Sequence, residues 1–420
     1  MEPFKFSDRI TAASKKAMEN CRGQFDRIEA ITEYNQQRVL RAFTKNEVSE
    51  SHFAATTGYG YGDRGRDTLE QVFADCVGAE KSIFRHSFAS GTHTLTVMLF
   101  GVLRPGDSML CLTGRPYDTL IGVLGTDAYV PGSLRDFGVN YEQVELTADG
   151  LPDLKAIEEK VKSKKYKVAY IQRSRGYNLR PSLSVGKIEE MIKTVKAVSP
   201  DTLVLVDNCY GEFVEEKEPT MVGADLMAGS LIKNPGGGIA PTGGYIAGKR
   251  DLVELCGYRL TAPGVGLEIG ASLGHSRELY MGLFNAPHVV GEALKTAVFT
   301  AALFELLGCG TTPKSDEIRA DIIQTVLTGT EKGMVAFCRG LQSGSPVDSA
   351  ATPYPDSMPG YDVPVIMAAG AFTLGASIEL SADGPIRPPY ALWMQGGLNF
   401  HSAKVGIMLA AEKMAEENCL

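Results

Sequence analysis

Lys233 ends the run Gly229-Ser230-Leu231-Ile232-Lys233 and is followed at once by Asn234-Pro235-Gly236-Gly237-Gly238, so it stands where an apolar strand breaks into a loop. A lysine is ordinarily a solvated surface cation. Here its place at a strand exit directs the amine to the edge of a sheet, where open α/β sheets bind their ligands. Twenty-six residues earlier (233 minus 207), Asp207 closes a second apolar run, Leu203-Val204-Leu205-Val206, and leads into Asn208-Cys209-Tyr210. Together with the Ser230 hydroxyl, the two strand ends offer an amine that can form an imine, an acid that can keep a ring nitrogen protonated, and a donor for an anionic group.

Phe88-Ala89-Ser90-Gly91-Thr92-His93-Thr94 precedes the apolar stretch 95–100 and reads as a loop opening a helix. By itself this is a Ser/Thr cap with a glycine for the turn. Unpaired amides and the positive end of the helix dipole also make such a start a phosphate cradle, with Ser90, Gly91 and Thr92 as its residues. Arg115-Pro116-Tyr117 follows another strand, 108–112, and brings Tyr117 to the same rim, where its ring can stack on a cofactor. Amine, acid, stacking aromatic and phosphate cradle are the requirements of pyridoxal 5'-phosphate (PLP). Gly60-Tyr61-Gly62-Asp63-Arg64-Gly65 matches the dinucleotide fingerprint letter for letter, but the preceding Ser49–Thr57 stretch is polar and lacks a β run. A loop with close backbone approach is the better reading.

The elements that must position these residues follow from periodicity. From residue 83 to about 248, short apolar runs alternate with helical stretches, the pattern of βαβ units and a mostly parallel sheet. Strands are predicted at 108–112, 168–171, 203–206, 227–231 and 245–247. Asp67, with Glu70 three residues on, is the predicted cap of a helix that buries Leu69, Val72, Phe73, Cys76 and Val77. Residues 1–55 read as an amphipathic helical arm without a core of its own, carrying Ile28, Ile31, Val39, Leu40 and Phe43. Residues 56–288 form the large α/β domain. The apolar-periodic stretch 289–307 is a long linking helix ended by Gly308 and Gly310, and it leads into a small α+β domain ending at 420.

Bulk properties narrow the function. A chain of 420 residues exceeds what one hydrophobic core supports, and 44% apolar with 22% charged residues is the balance of an ordinary globular protein. A net charge of -8 argues against a broad nucleic-acid surface. The amino terminus lacks the apolar run of a secretory signal, and the Gly- and Ala-rich stretch 363–378 is too short to span a bilayer, so a cytoplasmic location away from membranes is expected. Cys21, Cys76, Cys111, Cys209, Cys256, Cys309, Cys338 and Cys419 are scattered singly, without a C-x-x-C pair or a histidine at ligand spacing, which points to free thiols and no metal.

Asp207-x-x-Tyr210 followed by Ser230-x-x-Lys233 resembles the fold-type I PLP enzymes, closest to their cystathionine/methionine lyase branch. The longer strings SGTHT, GRPYDTL, DNCYGEF, SLIKNPGGGIAPTGGYIAG and IELSADGPIRPPY look like one subfamily, methionine γ-lyase-like or aluminium-resistance proteins. The resemblance implies the aspartate aminotransferase-like PLP-dependent transferase fold: a mostly parallel sheet with helices on both faces and a small α+β C-terminal domain. It also implies that Lys233 forms the imine, Asp207 pairs with the pyridine nitrogen, Tyr210 lies near the phenolic oxygen and Ser230 binds phosphate. In that group a tyrosine and an arginine of the neighbouring subunit clamp the phosphate. Tyr59, Tyr61, Arg64 and Arg66 stand in the comparable place, though not at the Tyr-x-Arg spacing, and a homodimer or homotetramer is implied. Arg387 is the candidate for the substrate carboxylate, because a planar guanidinium binds it bidentately. Gln172, Arg173 and Arg175 follow a predicted strand and could line the same mouth.

The expected activity is carbon–sulfur lysis of a sulfur-containing amino acid. Lys233 would remove the α-proton, and Tyr117 would protonate the leaving group in a β- or γ-elimination. Another PLP reaction such as transamination, and a non-catalytic PLP-fold protein in metal stress, are the alternatives.

Overall fold

The computed structural model describes residues 4–358 and 361–420, so the first three residues of the expected arm and two of the small domain lie outside the described residues. The chain divides into two compact units, Asn35–Asn285 and Met1–Tyr34 with Ala286–Leu420. Within residues 1–55, expected to be helical, the structure has helix α1 (Asp8–Lys45) and a short 3-10 turn, Glu50–Phe53. Ile10, Ala17, Cys21, Val39 and Ala42 of α1 are buried. Leu40, assigned above to its apolar face, is half exposed.

The larger unit is built on seven strands: β1 (Lys81–Arg85), β2 (Ser108–Cys111), β3 (Asn140–Gln143), β4 (Val168–Gln172), β5 (Leu203–Asp207), β6 (Leu226–Ser230) and β7 (Gly244–Gly248). Their order is β1-β7-β6-β5-β4-β2-β3, with β7 antiparallel to both of its neighbours and the pairs from β6 to β3 parallel. β4 and β6 are buried at every position, as parallel strands covered on both faces must be, which is why they read as continuous apolar runs. β3, Asn-Tyr-Glu-Gln, is a polar edge strand and carries no such run.

Helix α2 (Arg64–Val77) begins four residues before the expected start. Its cap is Asp63, not Asp67: Asp63 Oδ1 accepts from the Arg66 amide at 2.9 Å, while Asp67 sits in the first turn and binds Arg66. Glu70 pairs with the buried Arg85 at 2.6 Å instead of closing a capping box. Helices α3 (Gly91–Val102), α4 (Asp118–Leu124), α5 (Leu154–Ser163), α6 (Val185–Val198) and α7 (Arg250–Leu260) alternate with the strands, and Leu95, Met98 and Leu99 of α3 join Tyr170, Leu205, Ala228 and Ile246 in the core.

Helix α8 spans Ser276–Leu306, starting well before the expected residue 289 because Pro287 is accommodated within it. The second unit holds a five-stranded antiparallel sheet, β8 (Gly310–Thr312), β9 (Gln324–Leu327), β10 (Val365–Ala369), β11 (Ser381–Pro385) and β12 (Ala391–Gln395), in the order β10-β11-β12-β9-β8. Helices α9 (Glu331–Ser343) and α10 (Phe400–Glu416) complete it, and Phe400 meets Phe25 and Phe299 edge-on at 5.2 and 5.8 Å. No helix among the described residues is long and apolar enough to cross a membrane.

Candidate active site

β5 and β6 end side by side, with Asp207 the lateral partner of Ala228. Asp207 is 7% exposed, and its Oδ1 accepts from the Cys209 amide at 3.1 Å. The chain then turns through Tyr210 at φ +71, a conformation costly for a residue with a side chain. Arg173, fully buried one residue beyond β4, holds that turn. Its Nη1 donates to Asn208 Oδ1 at 2.8 Å and to the Gly211 carbonyl at 3.0 Å, and its Nη2 meets Glu215 at 2.6 Å. A Cβ on Gly211 would come within 2.4 Å of the guanidinium, so glycine is required there. Glu218, also buried, accepts from Asn208 Nδ2 at 3.0 Å and the Phe213 amide at 2.8 Å. Arg173 therefore supports the turn from beneath and does not line a mouth. Arg173→Met, which takes the cation from Glu215, leaves Glu218 with Arg38 alone and leaves Asn208 Oδ1 and the Gly211 carbonyl without their donor, is expected to cost about 3–5 kcal/mol in urea unfolding; an unchanged midpoint would refute the bracing role.

The second turn follows β6. Lys233 precedes a short 3-10 turn, Asn234–Gly236, in which a Cβ on Gly236 would lie 1.7 Å from the Leu231 carbonyl oxygen. Lys233 Nζ stands 4.1 Å from the centre of the Tyr210 ring. Burial disfavours its ammonium, but Cys209, Tyr210, Asp207 and Tyr117 around it favour the cation, and the balance holds its pKa above the usual lysine value.

Ser230 closes β6 and is 1% exposed. Its Oγ is buried and has no hydrogen-bond partner among the described residues. A Cβ on Gly91 would lie 3.3 Å from the Ser230 Cβ, so the start of α3 abuts this hydroxyl. Ser90 caps α3 by accepting from the His93 amide at 3.1 Å, and Thr92 Oγ1 lies 2.9 Å from Thr119 Oγ1 at the start of α4. An unpartnered buried hydroxyl costs about 1–3 kcal/mol. Placed against a helix N-terminus, its natural complement is an anion. Tyr117 precedes α4, is 36% exposed, and its amide donates to Gln172 Oε1 at 2.6 Å. Gln172 is itself the lateral partner of Asp207 and so indexes Tyr117 to the site. An amine, a buried carboxylate, an exposed aromatic and an anion-ready helix start around one rim fit PLP at each of its functional groups.

Tyr59 and Tyr61 belong to a different loop, which is bonded to residues 270–273, and Arg66 lies in the first turn of α2 behind it. Tyr59 and Tyr61 are 72% and 67% exposed, with ring centres 5.5 Å apart. Arg66, expected to reach a neighbouring subunit, turns inward: it is buried and donates to the Gly60 and Gly270 carbonyls, each at 2.9 Å. Arg64 approaches His52 at 3.3 Å. Arg175 is buried and donates to Ser182 at 3.3 Å. Arg387 is exposed in the turn between β11 and β12 of the second unit. The bracing by Arg173 and Gln172 was not legible as such, since nothing local distinguishes a buried arginine from a mouth-lining one.

Comparison with known proteins agrees with this chemistry. The methionine gamma-lyase family model matches residues 10–415. The chain is 52% identical over 412 residues to the Bacillus subtilis (strain 168) protein YnbB, covering 97% of each. It is 48% identical to a Clostridium novyi NT protein whose crystal structure is described as a carbon-sulfur lyase involved in aluminum resistance, with a TM-score of 0.94 and coverage of 97% and 96% of the two chains. Cystathionine gamma synthase from Xanthomonas oryzae pv. oryzae, at 16% identity and a TM-score of 0.59 over 92% of this chain and 99% of that one, shares the fold. The chain thus belongs to the methionine gamma-lyase family, a family of fold-type I enzymes whose cofactor is PLP.

Proposed function

We propose that the protein is a carbon–sulfur lyase that removes the α-proton of a sulfur-containing amino acid and expels a thiol by β- or γ-elimination. The observation that carries this reading is the Lys233 amine, 4.1 Å from the Tyr210 ring centre, on a turn whose first residue, Ser230, has an unpartnered hydroxyl against the start of α3. Bound there, PLP supplies an aldehyde for the amine and a ring that accepts the electron pair left when the α-carbon loses its proton.

The chain's own groups do the rest. Lys233 Nζ would anchor the cofactor and, as a free amine, would take the α-proton. Asp207 keeps a proton on the ring nitrogen. Tyr117 would stack on the ring and donate its hydroxyl proton to the departing sulfur, and Tyr210, beside Lys233, would serve the phenolic oxygen. Ser90, Gly91, Thr92 and Ser230 take the phosphate. Arg387 takes the substrate carboxylate. Tyr59 and Tyr61 reach the phosphate of a neighbouring copy in a homo-oligomer, with Arg66 bracing their loop from within. Eight free thiols suit a reducing cytoplasm.

The test is product analysis with methionine, cystathionine and cysteine. Elimination releases a thiol or sulfide, ammonia and a 2-oxo acid in equal amounts. From cystathionine, β-elimination leaves pyruvate and γ-elimination leaves 2-oxobutanoate. A 2-oxo acid formed without ammonia would assign transamination and overturn the lyase reading.

A further inference from the structure

Glu212 has no part in the steps above, yet it touches both flanks of the Lys233 turn. It lies two residues beyond Tyr210 and is fully buried. Its Oε1 accepts from the Tyr245 hydroxyl at 2.7 Å, and Tyr245 is the β7 partner of Gly229. A Cβ on Gly229 would fall 2.4 Å from that same oxygen. On the far flank, Asn234 Nδ2 donates to the Glu212 carbonyl at 2.9 Å. Gly229 immediately precedes Ser230, and Asn234 immediately follows Lys233. The other carboxyl oxygen, Oε2, is buried without a hydrogen-bond partner among the described residues. The titratable groups that face this carboxyl are Tyr245 from β7, Lys233 from the turn after β6, and Cys209 and Glu218 from its own loop.

We propose that Glu212 is a positioning residue for Lys233: by engaging Tyr245 and Asn234 it sets the Lys233 turn against the turn that bears Asp207 and Tyr210. The inference rests on Lys233 being the imine-forming lysine. A carboxylate with an unpartnered oxygen is costly in this interior. Burial raises the Glu212 pKa to about 8, against the opposing hydrogen bond from Tyr245, so the group is uncharged at neutral pH. Ionisation in base adds an anion beside Lys233, which favours the ammonium and removes the proton acceptor.

The experiment compares PLP-loaded wild type, Glu212→Gln, Glu212→Ala and Tyr245→Phe. Two quantities are read: the cofactor fixed on Lys233 by borohydride, located by mass spectrometry, and kcat and KM across neutral and alkaline pH. Glu212→Gln keeps the uncharged geometry, so it should hold kcat within about twofold at neutral pH and extend activity into base. Glu212→Ala should lose about tenfold or more in kcat with KM little changed. Tyr245→Phe should fall between the two. The PLP-free proteins give a readout independent of turnover. Because the folded pKa is raised, wild type should lose stability as pH climbs from the ordinary glutamate range to about 8, and Glu212→Gln should abolish that loss. A wild-type alkaline limb in Glu212→Gln, or wild-type kcat in Glu212→Ala, overturns the proposal. If Glu212→Ala does not fold, the alkaline limb of Glu212→Gln decides. Failure of borohydride to fix cofactor on Lys233 in wild type would instead overturn the assignment of the lysine itself.

Discussion

Lys233→Ala is expected to lower kcat by roughly a thousand-fold or more, because the proposed mechanism has one amine both anchor the cofactor and accept the α-proton. Both roles depend on the nitrogen, so neither survives truncation at Cβ. Loaded wild type should show a visible absorbance band that borohydride bleaches, and the variant should hold PLP without any fixed at position 233. The turn itself should persist, since the Gly236 contact with Leu231 and the Asn234 bond to Glu212 do not involve the lysine side chain. A variant that turns over at the wild-type rate would remove Lys233 from the mechanism.

Asp207→Asn is expected to lower kcat by roughly a hundred- to a thousand-fold while leaving PLP bound. The amide is close in shape but cannot keep the ring nitrogen cationic, so the electron pair from the α-carbon has no positive centre to reach. The substitution also removes the charged neighbour of Lys233. The lysine's pKa, held above its usual value by Cys209, Tyr210, Asp207 and Tyr117 against the opposing effect of burial, should therefore fall in the variant. A pH titration of Lys233 reactivity toward an acylating reagent in the two PLP-free proteins, with the labelled site located by mass spectrometry, reads that change. An unchanged kcat would separate Asp207 from the ring nitrogen, and an unchanged titration would separate it from Lys233.

The two predictions rest on residues that stood out in the linear chain, and the reason is geometric. A parallel strand buried on both faces must be apolar throughout, so a charged residue at its end is conspicuous. Asp207 after Leu-Val-Leu-Val and Lys233 after Gly-Ser-Leu-Ile are such interruptions. The strand positions themselves agreed to within a residue at β2, β4, β5, β6 and β7. Polar β3 and the start of α8 were not legible. An edge strand needs no apolar run, and Pro287 masks the helix before it.

Helix α2 shows the same limit at smaller scale. Asp63 and Asp67 are both sound caps by type, and the choice between them was made by distant groups: Thr56 and Ser272 bind the Asp63 carboxylate and hold it in place. Arg66 was expected at a neighbouring subunit's phosphate because the family resemblance places a tyrosine and an arginine with that role before this helix. The Gly60 and Gly270 carbonyls, 210 residues apart in the chain (270 minus 60), together bind it inward.

From the sequence alone the scaffold class was legible, together with an amine and an acid at the exits of buried strands and a capped helix start after β1. These follow from local composition and from the requirement that buried strands be apolar. Tertiary structure alone decided which groups support that chemistry. Arg173 beneath the Tyr210 turn, Gln172 on the Tyr117 amide, Ser230 against Gly91, and Glu212 between Gly229 and Asn234 are each joined across separate strands and loops. Such contacts depend on which strand ends fold side by side, and the order β7-β6-β5-β4 is a property of the whole sheet that no short stretch of chain encodes.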